Sequence, residues 1–307
     1  LIVAESIIPI FALVGLGALL RRFGVTDPHF LKTSDRLVYY LFFPALLFYK
    51  IGGSSRVPEF DLPLLSAVFA SISVVFVASL VFVKVFRMHA FHVGAFSQCC
   101  YRFNTYVGMA VVLMAMGDSA VRDFSVMIGV AIPFINLLAV STLIWFAETA
   151  APLKNRLWLV LQATVSNPLI LACVAGMLFS LLGIPFPGFV DKTLYLLSMV
   201  TLPMALIAVG GSLRFQVQDK GIHWALWAAA FKNVWLPIVG FGFLRIFHVS
   251  EMAFQIGMLF FALPTSGAAY ILSAQLGSDA NLAAQTIFFS TLASIFSLSA
   301  VLWFFVL

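Results

Sequence analysis

Arg102, Asn104 and Thr105 place a guanidinium, an amide and a hydroxyl inside the apolar stretch Gln98-Cys99-Cys100-Tyr101-Arg102-Phe103-Asn104-Thr105-Tyr106-Val107-Gly108. A second apolar stretch, Phe261-Ala262-Leu263-Pro264-Thr265-Ser266-Gly267-Ala268-Ala269-Tyr270, puts Pro264 160 positions after Asn104. These are groups that grip and neutralise a carboxylate. Pro264 lacks a backbone donor and clashes with the preceding turn, so Thr265, Ser266 and Gly267 can line an unwound segment. If both helices break and cross, two half-helix N-termini point their positive dipole ends into one cavity. Pro264, Thr265 and Ser266 supply one end and residues 104–106 the other. An anion is the natural occupant. The plainer alternative is a proline kink repaired by Ser and Thr hydroxyls.

Lys232 and Asn233 form a second polar cluster in an apolar run, about ten residues in and so too deep for the ammonium to snorkel to water. Lys232 either balances a bound charge or pairs with helix-end carbonyls and holds the bundle together. Asn136, three residues after Pro133, is either part of the site or an interhelical hydrogen-bonding group. The acidic residues Glu5, Asp27, Asp35, Glu59, Asp61, Asp118, Asp123, Glu148, Asp191, Asp219, Glu251 and Asp279 all fall in loops or near the ends of apolar runs. Two deep cations therefore face no deep carboxylate, which favours an organic anion and disfavours a metal-cation path. His29, His89, His92, His223 and His248 are placed like the acids, which weakens a proton relay. Cys99, Cys100 and Cys173 read as small apolar fillers, so neither a metal site nor a cofactor is expected.

The elements that position these groups must be membrane helices. With 63% hydrophobic and 9% charged residues and a mean hydropathy of +1.09, the chain has too little polar surface to coat a water-soluble globule. Apolar runs long enough to cross about 30 Å of hydrocarbon fall near 2–20, 33–51, 62–86, 93–117, 121–147, 157–182, 193–213, 222–247, 251–276 and 281–306. The first, with Glu5 near its start and no basic residues before it, reads as a span and not a cleaved leader.

The runs form two copies. Val25-Thr26-Asp27-Pro28-His29-Phe30 matches Ile184-Pro185-Phe186-Pro187-Gly188-Phe189, Phe43-Pro44-Ala45 matches Leu202-Pro203-Met204, and Gly52 matches Gly211, each 159 apart. Asn104 with Pro264, Gly117 with Gly277 and Ala120 with Ala280 follow at 160. Five spans per copy is odd, so the expected fold is an all-α membrane protein of ten transmembrane helices in two inverted five-helix repeats, 1–147 and 157–307, with broken crossover helices at spans 4 and 9. Paired interrupted helices are the sequence signature of secondary transporters.

Ten Lys and Arg fall in one set of loops and five in the other, so positive-inside bias places both termini outside the cytoplasm of a cell membrane. The net charge of +5 reflects that bias, and no clustered basic face points to nucleic acid.

Arg102-Phe103-Asn104-Thr105, Ala262-Leu263-Pro264, Asn167-Pro168-Leu169-Ile170, Leu202-Pro203-Met204-Ala205-Leu206 and Gly210-Gly211-Ser212-Leu213 together resemble the auxin efflux carrier family. That family contains plant PIN-type auxin carriers and bacterial permeases for malate, malonate and similar acids. The likeness spans nearly the whole chain, and the short central loop at about 148–156 matches the bacterial members. The resemblance implies a scaffold of spans 1, 2, 6 and 7 (about 1–51 and 157–213) and a mobile transport domain of spans 3–5 and 8–10 (about 62–147 and 222–306). It also implies a homodimer through the scaffold and elevator-type movement. It places Asn104 and Pro264 at the crossover, Thr105, Thr265 and Ser266 beside it, and Asn136 facing the same site. Plant carriers have Pro immediately before the crossover Asn, where this chain has Phe103, so span 4 lacks the helix breaker that span 9 carries.

The expected activity is carriage of a small organic acid across the bilayer, its charge met by Arg102 or Lys232 and its oxygens by Asn104, Thr105, Asn136, Asn233, Thr265 and Ser266. Tyr101, Tyr106 and Tyr270 would instead suit an aromatic, auxin-like acid by stacking. An anion sensor on the same fold is a third reading. Coupling to H+ or Na+ is left open. A serine hydrolase at Ser212 or Ser266 is disfavoured, since no His lies deep in a span and no His-Glu-x-x-His is present.

Overall fold

In the computed structural model the described residues are 2–53, 61–146, 166–213 and 221–306. The central loop, the opening of span 6, and Arg56, Glu59, Glu148, Lys154, Arg156, Arg214, Asp219 and Lys220 lie outside them.

Every described element is helical: α1 (Ile2–Arg22), α2 (Pro28–Leu37), α3 (Phe43–Gly52), α4 (Leu62–Val85), α5 (Ala90–Tyr101), α6 (Thr105–Phe146), α7 (Pro168–Leu181), α8 (Gly188–Ser212), α9 (Ile222–Ala230), α10 (Leu236–Ile246), α11 (Glu251–Ala262), α12 (Ala268–Gln275) and α13 (Ala280–Val301). Helices satisfy their backbone groups internally, which an apolar solvent demands. Among the described residues, six helical stretches are long and apolar enough to cross a bilayer: Val3–Arg22, Leu62–Val85, Thr105–Phe146, Gly188–Ser212, Ile222–Ile246 and Ala280–Val306. Shorter apolar helices, Pro168–Leu181 and Glu251–Ala262, accompany them. Large apolar side chains such as Trp145, Phe189 and Phe296 are more than three-quarters exposed, as a chain immersed in lipid permits.

Local chemistry sets the joints. Asp27 caps α2 by accepting from the Phe30 amide at 2.6 Å, with Pro28 in the first turn where its missing N–H is harmless. Two prolines widen helices. Pro44 and Pro237 cannot donate to the carbonyl four residues back, and each follows a π-helical turn, Val38–Phe42 and Phe231–Trp235, in which the ladder shifts register. Gly117 interrupts the 42-residue α6 with φ +78°, a conformation that a side chain would strain. Gly24 and Gly183 share this left-handed backbone 159 apart, as do Gly117 and Gly277 160 apart, at the offsets of the sequence repeat.

The chain divides into two compact units. The first comprises Leu1–Asp61, Met109–Ile132 and Val165–Leu213. Its spine is α1 against α8, packed so closely that a Cβ on Gly210 would overlap the Val14 carbonyl and one on Gly17 the Ile207 carbonyl. Arg21 donates to the Gly211 carbonyl at 2.6 Å and Thr201 to the Phe42 carbonyl at 2.9 Å. Phe48, Phe179 and Phe186 cluster between α3 and α7, and Lys50 pairs with Asp118 at 2.6 Å.

The second unit comprises Leu62–Gly108, Pro133–Thr164 and Arg214–Leu307. Phe82 gathers Phe96, Trp227 and Phe231 around it, which ties α4, α5 and the π turn after α9 into one core. His92 meets Asp279 at 2.7 Å, and the Asp279 amide donates to the Phe91 carbonyl, joining the start of α5 to the start of α13.

Candidate functional site

Within the second unit two helices stop and restart against each other. α5 ends at Tyr101 and α6 begins at Thr105; α11 ends at Ala262 and α12 begins at Ala268. The intervening segments pair antiparallel at Phe103 and Thr265, the one isolated strand-like bridge among the described residues. The Asn104 amide donates to the Pro264 carbonyl at 2.8 Å, so the positions related by the 160-residue offset touch. Pro264 accounts for the second break. The first forms without a proline: Arg102 is extended (φ −71°, ψ 130°), the Phe103 ring packs edge-on against Phe260 at 4.4 Å, and Asn104 caps α6. Its Oδ1 accepts from the amides of Tyr106 (3.1 Å) and Val107 (3.2 Å), so tertiary partners and a cap replace the missing helix breaker.

A helix end in a dry interior leaves carbonyls that need donors. Here side chains provide them. Thr265 Oγ1 donates to the Cys99 carbonyl at 3.0 Å, Lys232 Nζ to Phe261 at 2.9 Å and Ser297 Oγ to Ala262 at 2.9 Å. The Thr265 amide donates to Ser290 Oγ at 2.9 Å, and that hydroxyl donates to Asn233 Oδ1 at 2.6 Å. Asn233 Nδ2 reaches Ser297 Oγ at 3.3 Å. Gln98 Nε2 spans to α12, meeting the Ala269 carbonyl at 3.2 Å and Ser273 Oγ at 2.9 Å.

The residues named from sequence separate into two sets around this crossing. Thr265, Lys232 and Asn233 are buried and pin the breaks. Lys232 takes the helix-end role of its two sequence readings, with its Nζ on a backbone carbonyl. Arg102, Thr105, Tyr106, Ser266 and Tyr270 are half-buried, and Gly267 is exposed. Arg102 Nη2 donates to Asn136 Oδ1 at 2.7 Å, which brings together two residues 34 positions apart. Tyr101 departs from expectation. Its ring is fully buried edge-on against Phe76, so it is not a stacking surface for a ligand. The bare row of N-terminal amides is also modified: Asn104 occupies two of them on α6, and Ser266 Oγ accepts from the Ala268 amide on α12 at 3.3 Å.

Sequence reasoning missed Ser290, Ser297, Gln98, Ser273 and Pro237. A signal existed for the serines. Thr286, Ser290, Ser294 and Ser297 recur at helical spacing on one face of α13.

A family model described as membrane transport protein matches residues 2–302. The chain belongs to this family, the auxin efflux carriers. Within that setting, this auxin efflux carrier family member is similar to an uncharacterized transporter of Methanocaldococcus jannaschii, 22% identical over 304 residues that cover 95% of each chain. It is also similar to an uncharacterized transporter of Methanothermobacter thermautotrophicus, 22% identical over 298 residues covering 96% of this chain and 95% of the other. The apolar helices and the family together make it a multi-pass membrane protein of a transporter family.

Proposed function

We propose that the protein is a secondary transporter that carries a small organic anion, a mono- or dicarboxylate of malate or malonate type, across the cell membrane by elevator-like alternating access. The reading takes the helices as ten spans in two inverted repeats, with a scaffold of spans 1, 2, 6 and 7 that dimerises and a moving domain of spans 3–5 and 8–10. Both termini then face away from the cytoplasm. The left-handed glycines at repeat offsets and the paired breaks support it.

One observation carries the substrate class. The half-buried Arg102 sits beside Asn136 at the crossing, and residues 93–108 and 256–278 contain no Asp or Glu. A guanidinium at membrane depth costs at least about 2.5–3.5 kcal/mol on insertion scales unless compensated. Arg102, hydrogen-bonded to Asn136, offers a carboxylate from outside the chain a cationic contact, with Asn104, Thr105 and Ser266 as polar groups around it. Tyr106 and Tyr270, both half-buried at the same crossing, favour an aromatic acid as the second reading.

The test is uptake of labelled mono-, di- and indole carboxylates into proteoliposomes. Wild-type protein moves at least one of them, and Arg102→Ala abolishes that flux while remaining folded and extractable. Undiminished flux through Arg102→Ala refutes the site, and specific binding without flux identifies a sensor. Preference for indole acids over dicarboxylates selects the aromatic reading.

A further inference from the structure

Gly117 and Gly277 mark matching joints of the two repeats, 160 positions apart, and the joints are fastened to different partners. After Gly277, Asp279 meets His92 at 2.7 Å and Ser278 Oγ donates to the Phe91 carbonyl at 2.9 Å. That joint is held to the start of α5, inside the second unit. After Gly117, Asp118 instead accepts from Lys50 Nζ at 2.6 Å, in the last turn of α3 and inside the first unit. The sequence makes the difference obligatory. At the repeat offsets Lys50 and Asp118 correspond to Val209 and Ser278, and His92 and Asp279 to Met252 and Ser119, so neither ion pair has a counterpart in the other repeat.

A second contact holds the same stretch of α6. An added Cβ on Gly129 would lie 3.1 Å from the Cys173 side chain on α7, and Cys173 Sγ donates to the Ser125 carbonyl at 3.5 Å. The repeat mate of Gly129 is Phe289, too bulky for that approach. On the α3 side, Tyr49 stacks on Phe186 and meets Tyr195 edge-on, which anchors the turn that carries Lys50. Lys50 is 20% exposed and Asp118 72%, so the acid is the partner able to leave. An exposed pair biases an equilibrium by about fivefold or less, enough to favour one arrangement and too little to hold it permanently.

The carrier reading counts residues 109–132 among the moving spans, whereas in the structure Met109–Ile132 belongs to the compact unit that holds α1, α3, α7 and α8. We propose that Lys50 and Asp118 form a releasable latch on the non-cytoplasmic side, which holds the Gly117 joint to the first unit and opens each time the substrate site changes sides. The latch rests on the carrier reading above.

Full-length Lys50→Cys/Asp118→Cys protein in proteoliposomes tests it, with the carboxylate that wild-type protein moves. Bridging the two thiols with a reducible bis-methanethiosulfonate, verified by intact mass, lowers flux by about tenfold or more, and reduction restores it. The single variants and wild-type protein, whose Cys99, Cys100 and Cys173 are buried, keep their flux under the same treatment. Bridged protein that carries substrate at the unbridged rate overturns the proposal, because Met109–Ile132 then stays with the first unit throughout. A second readout needs no flux. Nitroxides on Ser119→Cys and Thr193→Cys report two distance populations, and adding Asp118→Asn raises the longer one by about fivefold or less while the thermal midpoint barely moves. The exchange Lys50→Asp/Asp118→Lys returns the populations to their original ratio. A single distance that Asp118→Asn leaves unchanged overturns the latch. Absence of wild-type flux for every acid refutes the carrier reading, and the distance measurement then decides whether the joint opens.

Discussion

Ser290 and Ser294 lie one turn apart on α13, both with no solvent exposure, yet their removal has different consequences. Ser290 Oγ accepts from the Thr265 amide and donates to Asn233, so Ser290→Ala orphans a buried backbone donor and a buried amide oxygen. Ser294 donates only to Thr291 of its own helix at 2.7 Å, a carbonyl with a ladder position of its own. Interhelical hydrogen bonds in membranes average about 0.6 kcal/mol and reach about 1.7. Two of them therefore put Ser290→Ala at about 1–3 kcal/mol, and the upper half applies because the Thr265 amide, held in a break, has no helical partner to fall back on. Ser294→Ala loses about 0.5 kcal/mol or less, since its hydroxyl only supplements a satisfied carbonyl. Thermal midpoints of the two variants in one detergent measure the difference, and hydrogen exchange at Thr265 localises it. Exchange should accelerate in Ser290→Ala alone. Equal midpoints and equal protection at Thr265 would show that the break is not held from α13.

Asn104→Ala removes the acceptor for two α6 amides and lowers stability by about 0.5–2 kcal/mol, whereas Asn104→Asp keeps the cap, retains a near-native midpoint and loses anion flux because its own carboxylate competes for Arg102. Gly210→Ala drives a methyl into the Val14 carbonyl and destabilises by about 1–3 kcal/mol; Gly15→Ala, on the same pair's outer side with open space around it, leaves the thermal midpoint unchanged or slightly raised. Asp118→Asn breaks the pair with Lys50, but Asp118 is 72% exposed, so the loss stays below about 1 kcal/mol and disappears at high salt.

The positions of both breaks were legible because polar and helix-breaking residues stand out in an apolar run, and Asn104 and Pro264 meet as their offset requires. Sequence placed Arg102 and Asn136 in one candidate site, but the 2.7 Å hydrogen bond that joins them was not legible. The supporting serines were hidden for a physical reason. A hydroxyl in an apolar helix usually bonds a carbonyl of its own previous turn, as Ser71 does to Ala67, Ser125 to Val121 and Thr286 to Leu282. Composition does not distinguish those from Ser290 and Ser297, whose bonds cross to another segment. Lys232 was ambiguous until Pro237 was set beside it: a proline five residues on turns an ordinary helix into a widened turn, and the ammonium into reach of α11.

The breaks are clamped by one group of side chains, Lys232, Asn233, Thr265, Ser290 and Ser297, while another group, Arg102, Tyr106, Ser266 and Tyr270, forms the partly open edge. This division of labour gives the architecture room to diversify. On the carrier reading proposed above, exchange of Tyr106 or Tyr270 alters the edge, while the bonds of Lys232, Thr265, Ser290 and Ser297 keep the helices parted. Cargo preference can then drift quickly across a lineage while the clamp itself stays put.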